Sequence, residues 1–286
     1  MRRSLLFMPG NNPAMLQNSD IFDADAVIYD LEDAVSITEK DSARILVSQY
    51  LLNHEKDFPM EIAIRINGLD TSFYLDDLNL VVSNKIDTIM LPKASYLGLV
   101  QLDEILTKIE KEKGLSKKIA VIPIIELASS VLEIEQIVKA PRVNGVLLGA
   151  EDLTSDLEVS RTKTGEEILY PRMKIAMACC AYKIDSIDTP FTDTNDEQGL
   201  KEDCVKVMGL GFTSKSAIHP NQIAVINSTF VPTKEKITWA LRVEEANKSA
   251  QEIGIGVFSL DGKMVDKPVI ERAKKIIAKA KRYNLI

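Results

Sequence analysis

Gly145-Val-Leu-Leu-Gly-Ala-Glu-Asp152 decides how the rest of the chain is read. A short apolar run ends in two small residues that let the chain turn sharply, and two carboxylates follow at once. An apolar run without alternation suits a parallel strand covered on both faces. The same pattern recurs in both directions from this point. Val121-Ile-Pro-Ile-Ile-Glu126 ends on a carboxylate, Ile62-Ala-Ile-Arg65 on a guanidinium and Leu91-Pro-Lys93 on an ammonium. Ala26-Val-Ile-Tyr-Asp-Leu-Glu32 ends on two acids.

Strand-type runs fall at residues 4–8, 26–31, 61–66, 88–91, 120–125, 145–148, 186–189 and 211–214. Helical patterns lie between them at 38–52, 96–113, 129–138, 172–182 and 195–208. Such alternation implies βαβ units, in a closed eight-stranded barrel or an open doubly wound sheet. An open sheet gathers ligands at one switch point and leaves charges on its outer strands without use. In a barrel, all strand C-termini open onto one rim. Asp30, Glu32, Arg65, Lys93, Glu126, Glu151 and Asp152 end strand after strand. The expected fold is therefore α/β, a (β/α)8 TIM barrel over residues 1–230 with a C-terminal helical and hairpin extension over 231–286. The extension reads as a helix at 234–251, a break at Gly254-Ile-Gly256, a hairpin at 257–265 around Asp261-Gly262, and a last helix begun by Pro268. Its size predicts no independent core.

The 286 residues suit one barrel domain, typically about 250 residues. A net charge of -7 without a long Lys/Arg run argues against nucleic acid. The basic stretch at 272–282 reads as a solvated helix face. Apolar runs fall short of the about 20 residues that cross a bilayer. Pro9-Gly10-Asn11-Asn12 also cuts the first apolar stretch before a secretory signal can form. No membrane contact and a cytoplasmic location are expected. Cys179, Cys180 and Cys204 are odd in number and lack CxxC spacing, so reduced thiols are expected, the adjacent pair within a buried helix. With only His54 and His219, histidine-based zinc chemistry is excluded. Phosphate-loop, dinucleotide and nucleophile-elbow signatures are absent.

Glu126 and Asp152 close two adjacent strands, which places their carboxylates near each other on a barrel rim. Magnesium takes such oxygen ligands and completes its octahedron with water or substrate oxygens. Equally open is a structural reading, with Asp152 or Thr154 as the N-cap of a short helix. Arg65 at the end of an apolar strand is costly without anionic partners. Its planar fork suits a substrate carboxylate; pairing with Asp30, Glu32 or Asp33 competes or coexists. Asp30 and Glu32 read as supports of Arg65, and like-charge crowding can raise one of them into acid/base use. Lys215-Ser-Ala-Ile-His-Pro-Asn-Gln222 offers either contacts to a phosphate or pantetheine arm or a Pro-initiated helix start.

Several stretches together resemble a known family: Arg2-Arg-Ser-Leu-Leu-Phe-Met-Pro-Gly10, Asp30-Leu-Glu-Asp-Ala-Val35, Arg65-Ile-Asn-Gly-Leu-Asp70, Leu91-Pro-Lys93, Glu126, Gly149-Ala-Glu-Asp152 and Gly262-Lys-Met-Val-Asp-Lys-Pro268. In that order they resemble the citrate lyase beta subunits, within the magnesium-dependent citryl/malyl-CoA lyases of the HpcH/HpaI aldolase family. The resemblance implies a β/α barrel, Mg2+ held by Glu126 and Asp152, and substrate contacts from Arg65 and Glu126; Asp30 and Lys93, also at strand ends, are counted with them as candidate substrate-binding residues. It implies that Asp266 reaches a neighbouring subunit's site, hence a homo-oligomer, commonly a trimer or hexamer. The implied substrate is a citryl thioester, on an acyl carrier subunit or on CoA, cleaved to oxaloacetate and an acetyl thioester. A transferase subunit accompanies it in a citrate lyase complex, and Arg161-Thr-Lys-Thr-Gly-Glu-Glu-Ile-Leu-Tyr-Pro-Arg172 resembles the complex-type loop. On this basis Asp266 is the first choice as the acid that protonates the departing enolate, with Glu32 behind it and Arg65 stabilising the charge. A stand-alone malyl-CoA or citramalyl-CoA lyase, a related aldolase, and a non-catalytic scaffold barrel are the alternatives.

Overall fold

Eight parallel strands hydrogen-bond in sequence order and close on themselves. They run from β1 (Ser4–Pro9) through β2 (Ala26–Asp30), β3 (Glu61–Arg65), β4 (Thr88–Leu91), β5 (Ala120–Ile125), β6 (Gly145–Leu148) and β7 (Asp185–Asp188) to β8 (Ser214–Ala217). The last strand pairs back onto β1, Leu5 opposite Ser216. This computed structural model describes residues 2–54, 59–252, 254 and 256–286. They divide into two compact units, Met1–Asn227 and Ser228–Ile286. The first unit is the (β/α)8 barrel, and the helices between its strands are α1 (Pro13–Gln17), α2 (Lys40–Asn53), α3 (Tyr74–Val81), α4 (Tyr96–Glu112), α5 (Ala128–Ile137), α6 (Ala150–Asp156), α7 (Leu169–Tyr182) and α8 (Glu197–Leu210). A ninth, α9 (Asn221–Thr229), follows β8. No described helix is long and apolar enough to cross a membrane.

The barrel interior explains where the site must lie. Leu5, Ala26, Ile28, Ala63, Met90, Ile122, Ile124, Leu147 and Ile187 form one buried cluster, with Phe7 packed against it. Side chains alternate between the two faces of a strand, so every second residue points inward. Counting on by two from these apolar positions gives Asp30 after Ile28, Arg65 after Ala63 and Glu126 after Ile124. It gives Gly149 after Leu147 and Thr189 after Ile187. The apolar layers fill the barrel, and the next inward layer, at the C-terminal rim, is polar.

Polar pairing also closes the opposite end, where the strands begin. Arg2 Nε lies 2.5 Å from Glu61 Oε2, Nη1 lies 2.9 Å from Asp185 Oδ2, and Nη2 donates to Asn144 Oδ1 at 3.1 Å. Thr88 Oγ1 donates to Glu61 at 2.5 Å. The start of the chain is thereby joined to β3, β4 and β7.

The eighth strand is not where the sequence places it. The expected run at 211–214 is the end of α8 and its turn, Gly211 capping the helix in the left-handed region at φ 104°. The strand starts at Ser214 and carries Lys215, which is 0% exposed. Its Ser-Lys-Ser-Ala composition hides it from an apolar search. Lys215 can sit there because Nζ donates to Asp188 Oδ2 and Asp203 Oδ2, each at 2.6 Å, and to the Thr189 carbonyl at 2.8 Å. Arg172 completes the cluster, its Nε and Nη2 donating to the two Asp188 oxygens at 2.9 Å each. Burial works against the Lys215 charge, but Asp188 and Asp203 more than offset it and raise its pKa above the ordinary lysine value. The segment at 215–222 therefore does not follow the strand but begins inside it, and its end follows the helix-start reading, as α9.

The second unit has α10 (Lys234–Glu252), an antiparallel hairpin of β9 (Phe258–Leu260) and β10 (Lys263–Val265), and α11 (Lys267–Arg282). Asp261 at φ 52° and Gly262 at φ 72° make the hairpin turn, as two consecutive positive φ values require of a two-residue connection. Ile255, inside the expected break after α10, lies outside the described residues. Against expectation, this unit has a hydrophobic cluster of its own: Ala240, Val243, Val265, Ile270, Ala273 and Ile277. Length misled here; two amphipathic helices and a hairpin bring together enough apolar faces. Among the thiols, Cys179 and Cys204 are buried, whereas Cys180 faces outward from α7.

Lys215→Met is expected to destabilise the protein by about 3–5 kcal/mol, the usual loss when one partner of a buried charge cluster is removed. Urea denaturation followed by circular dichroism reads this as a lowered midpoint.

Candidate active site

Each rim residue is set by the element that carries it. Asp30 ends β2 and is 1% exposed. Its Oδ1 accepts from Arg65 Nε at 2.7 Å and from the Glu32 amide at 2.9 Å. Its Oδ2 accepts from Arg65 Nη2 at 2.5 Å and from the Ala34 amide at 3.1 Å. Both oxygens thus accept hydrogen bonds from within the chain, including the two that hold Arg65. The loop it anchors is also held from beneath, because Lys40 Nζ donates to the Leu31 and Glu32 carbonyls at 2.8 and 2.6 Å.

Arg65 is clamped in a fixed plane by this bidentate pair. Its Nη1 lies 2.8 Å from Glu32 Oε2, and its guanidinium carbon lies 5.1 Å from the centre of the Phe7 ring. Burial opposes the Arg65 charge, but the Asp30 hydrogen bonds and the charges of Asp30, Glu32 and Asp33 overcome it and raise its pKa further. Glu32 Oε2 makes this ionic contact without hydrogen-bonding alignment and has no other hydrogen-bond partner. Burial pushes the Glu32 carboxyl up to about 7; Arg65 opposes the shift, and Asp33 and Asp30 add to it.

Glu126 follows β5 and is 2% exposed. Its Oε1 accepts the Lys93 amide at 2.6 Å. Lys93 has φ 46°, an unusual left-handed conformation for a residue with a side chain, and this conformation accompanies an amide aimed at the carboxylate. Lys93, expected as a substrate-binding residue, meets the site through its backbone while its side chain is exposed. Burial pushes Glu126 up to about 8 against that hydrogen bond, with the negative charges of Glu32 and Asp152 adding to the shift.

Asp152 lies in the first turn of α6. The cap of that helix is Gly149, and Thr154 Oγ1 bonds back to the Ala150 carbonyl at 2.9 Å, so neither Asp152 nor Thr154 is an N-cap. A Cβ on Gly149 would fall 2.7 Å from Glu126 Oε2 and 2.9 Å from Ile124 Cγ2. Only glycine leaves Glu126 its place.

These groups share one cavity of about 320 Å³, lined by Asp30, Arg65, Glu126 and Asp152 together with Phe7, Gly149, Thr189, Pro190 and Ile218. Its wall is largely apolar with a few convergent polar groups, as small-molecule sites usually are. Among the described residues, no group of three His, Cys, Asp or Glu side chains is arranged to hold a metal ion. A pair of carboxylates still fits magnesium, which commonly keeps water and substrate oxygens for its remaining positions. The crowding of Glu126, Asp152 and Glu32 is the kind of unbalanced negative charge that a divalent cation relieves.

Asp266 belongs to the second unit, where its Oδ1 caps α11 by accepting the Val269 amide at 3.2 Å. Phe7 and Thr189 were not singled out in the sequence, and Gly149 was read only as a turn. The signal of Phe7 and Thr189 was available in the two-residue alternation of β1 and β7, but only once the inward phase of each strand is known.

A closed β/α barrel with a carboxylate pair and a clamped guanidinium converging at its C-terminal rim defines a barrel lyase or aldolase. Residues 3–220 match the family described as HpcH/HpaI aldolase/citrate lyase. The citrate lyase subunit beta of Leuconostoc mesenteroides subsp. cremoris is 40% identical over 289 residues, covering 100% of this chain and 95% of that protein. A crystal structure of CitE from Mycobacterium tuberculosis in complex with magnesium, acetoacetate and coenzyme A matches with a TM-score of 0.78 at 29% identity, covering 97% of each chain. The citrate lyase beta subunit of M. tuberculosis complexed with oxaloacetate and magnesium matches with a TM-score of 0.68 at 28% identity, over 81% of this chain and 97% of that one. The chain belongs to the HpcH/HpaI aldolase/citrate lyase family.

Gly149→Ala is expected to displace the Glu126 carboxylate and weaken magnesium binding at least about tenfold, as disturbing the groups around a metal ligand commonly does. Isothermal titration with magnesium chloride measures this directly.

Proposed function

We propose that this chain is a magnesium-dependent carbon–carbon lyase that cleaves a citryl thioester to oxaloacetate and an acetyl thioester. One observation carries the reading: the Glu126 and Asp152 carboxylates and the Arg65 guanidinium line a single cavity at the barrel rim. The relative named as a citrate lyase subunit supports the acyl group, and the M. tuberculosis structures with oxaloacetate, acetoacetate, coenzyme A and magnesium support the reaction type. Magnesium held by Glu126 and Asp152 supplies Lewis acidity and a template for the hydroxy-acid half of the substrate.

The chain's own residues do the rest. Cleavage needs the substrate hydroxyl to pass its proton to solvent water as its carbon becomes a carbonyl, and the bond electrons leave with the acetyl thioester as an enolate. Arg65, fixed by Asp30, presents donors in a preset plane to that developing charge without reorganising. A proton must then reach the enolate carbon. Asp266 from a neighbouring subunit is our first assignment for that acid, which makes the working enzyme a homo-oligomer, a trimer or hexamer. Glu32, buried against Arg65, is the second. The thioester arm comes from an acyl carrier subunit in a citrate lyase complex that also contains a transferase subunit, and the enzyme works in the cytoplasm.

The test is an assay of the purified chain on citryl-CoA and on citryl-carrier thioester, with malyl-CoA and citramalyl-CoA alongside. Citryl thioesters are expected to be cleaved in preference, with activity lost in EDTA and restored by magnesium. Turnover indifferent to chelation, or confined to the malyl or citramalyl thioesters, contradicts the proposal. Arg65→Lys is expected to cut kcat by about 100-fold or more, since a point charge cannot replace a bidentate fork. Asp266→Asn should lower kcat with little change in KM; unchanged turnover moves the acid role to Glu32.

A further inference from the structure

The helix that carries Asp152 begins under an unusual restriction. A short helix leaves its first amides without intrahelical partners, and normally a Ser, Thr, Asp or Asn at the cap position answers one of them. In α6 the cap position is Gly149, which supplies no side chain, and Glu126 permits none there. The partner comes instead from the next strand. Thr189, one inward position beyond β7 and 1% exposed, accepts the Ala150 amide on its Oγ1 at 3.3 Å, and both groups are buried.

Thr189 is itself held. Its carbonyl accepts Lys215 Nζ at 2.8 Å, and Lys215 is fixed by Asp188 and Asp203. Asp188, the residue before Thr189, is gripped on both oxygens by Arg172. Two cations and two anions on β7, β8, α7 and α8 therefore hold the backbone of the residue that carries this hydroxyl. From that hydroxyl the connection runs to the first residue of α6 and, two residues on, to Asp152.

We propose that Thr189 is a positioning residue for the metal-binding carboxylate of Asp152: it caps α6 from the neighbouring strand and transmits the rigidity of the buried Arg172–Asp188–Asp203–Lys215 cluster to the cation site. The inference rests on the reading of Glu126 and Asp152 as magnesium ligands. It assigns a role to the charge cluster that the chemistry of the rim does not otherwise use.

Thr189→Val keeps the shape and removes the acceptor; Thr189→Ser keeps the acceptor. Magnesium affinity is measured by isothermal titration without substrate, thermal stability is followed in EDTA, and kcat is measured at saturating magnesium. Thr189→Val is expected to bind magnesium about tenfold more weakly, to recover most of its kcat when magnesium is raised, and to be matched to the unsubstituted protein by Thr189→Ser. Unchanged magnesium affinity in Thr189→Val overturns the inference, as does an equal loss in Thr189→Ser. Thr189→Ala is the alternative should the valine variant not fold; it must show the same weakening. Asp152→Asn separates the two readings. If it binds magnesium normally, the metal assignment itself fails; if it loses magnesium while Thr189→Val does not, only the positioning role fails.

Discussion

The alternation of side chains in a closed parallel barrel is the constraint on which everything else in this protein depends. Because inward positions recur every two residues, the apolar layers of β2, β3, β5, β6 and β7 lead without choice to Asp30, Arg65, Glu126, Gly149 and Thr189. Those residues are separated widely in sequence, but strand registry puts them on one rim. A one-residue slip in any strand would turn its member of the set outward into the helical layer.

Two charged clusters in the barrel show how burial can be balanced or left unbalanced. Arg172 and Lys215 face Asp188 and Asp203, so that cluster is electrically complete and every oxygen of Asp188 is occupied. Such a group needs no ligand, and it holds β7, β8, α7 and α8 together. At the rim the balance differs. Arg65 pairs with Asp30 and Glu32, and Lys40 lies beneath the same loop, but among the described residues no ion pair reaches the Glu126 carboxylate, which is held by the Lys93 amide. Desolvation is expensive for uncompensated ions, and the rise of Glu126 to about 8 and of Glu32 to about 7 expresses that cost. Strong perturbation inside a cavity is a mark of a working site. Here the imbalance identifies its sign as well, a place for positive charge.

Much of this was legible in the residues. Continuous apolar runs ending on charges at 30, 65, 126 and 152 were enough for the barrel and for the convergence at its rim. What escaped was governed by tertiary pairing. β8 reads as polar because Lys215 is neutralised by partners from α8 and β7 that no local window contains. The core of the second unit escaped because its cluster joins α10, β10 and α11, each unremarkable alone. The contact of the Lys93 amide with Glu126 escaped as well, since a sequence displays side chains and conceals which amide a left-handed residue will present. Asp152 stood open between ligand and cap, and the structure removes the cap reading, because Gly149 holds the cap position.

That last point connects the geometry of two neighbouring strands. The Glu126 side chain occupies the space in which a Cβ of residue 149 would lie, so the site acquires its buried carboxylate and loses a capping side chain in the same stroke. The buried amide at the start of α6 must then be satisfied from elsewhere, and the next inward position in the barrel, Thr189, is the group within reach. Without Glu126 a serine or aspartate at 149 could cap the helix locally, and Asp152 would be positioned by its own helix alone. With Glu126 present, the two carboxylates cannot be placed independently: one dictates a glycine, the glycine dictates a borrowed cap, and the borrowed cap ties the other carboxylate to the rigid side of the barrel.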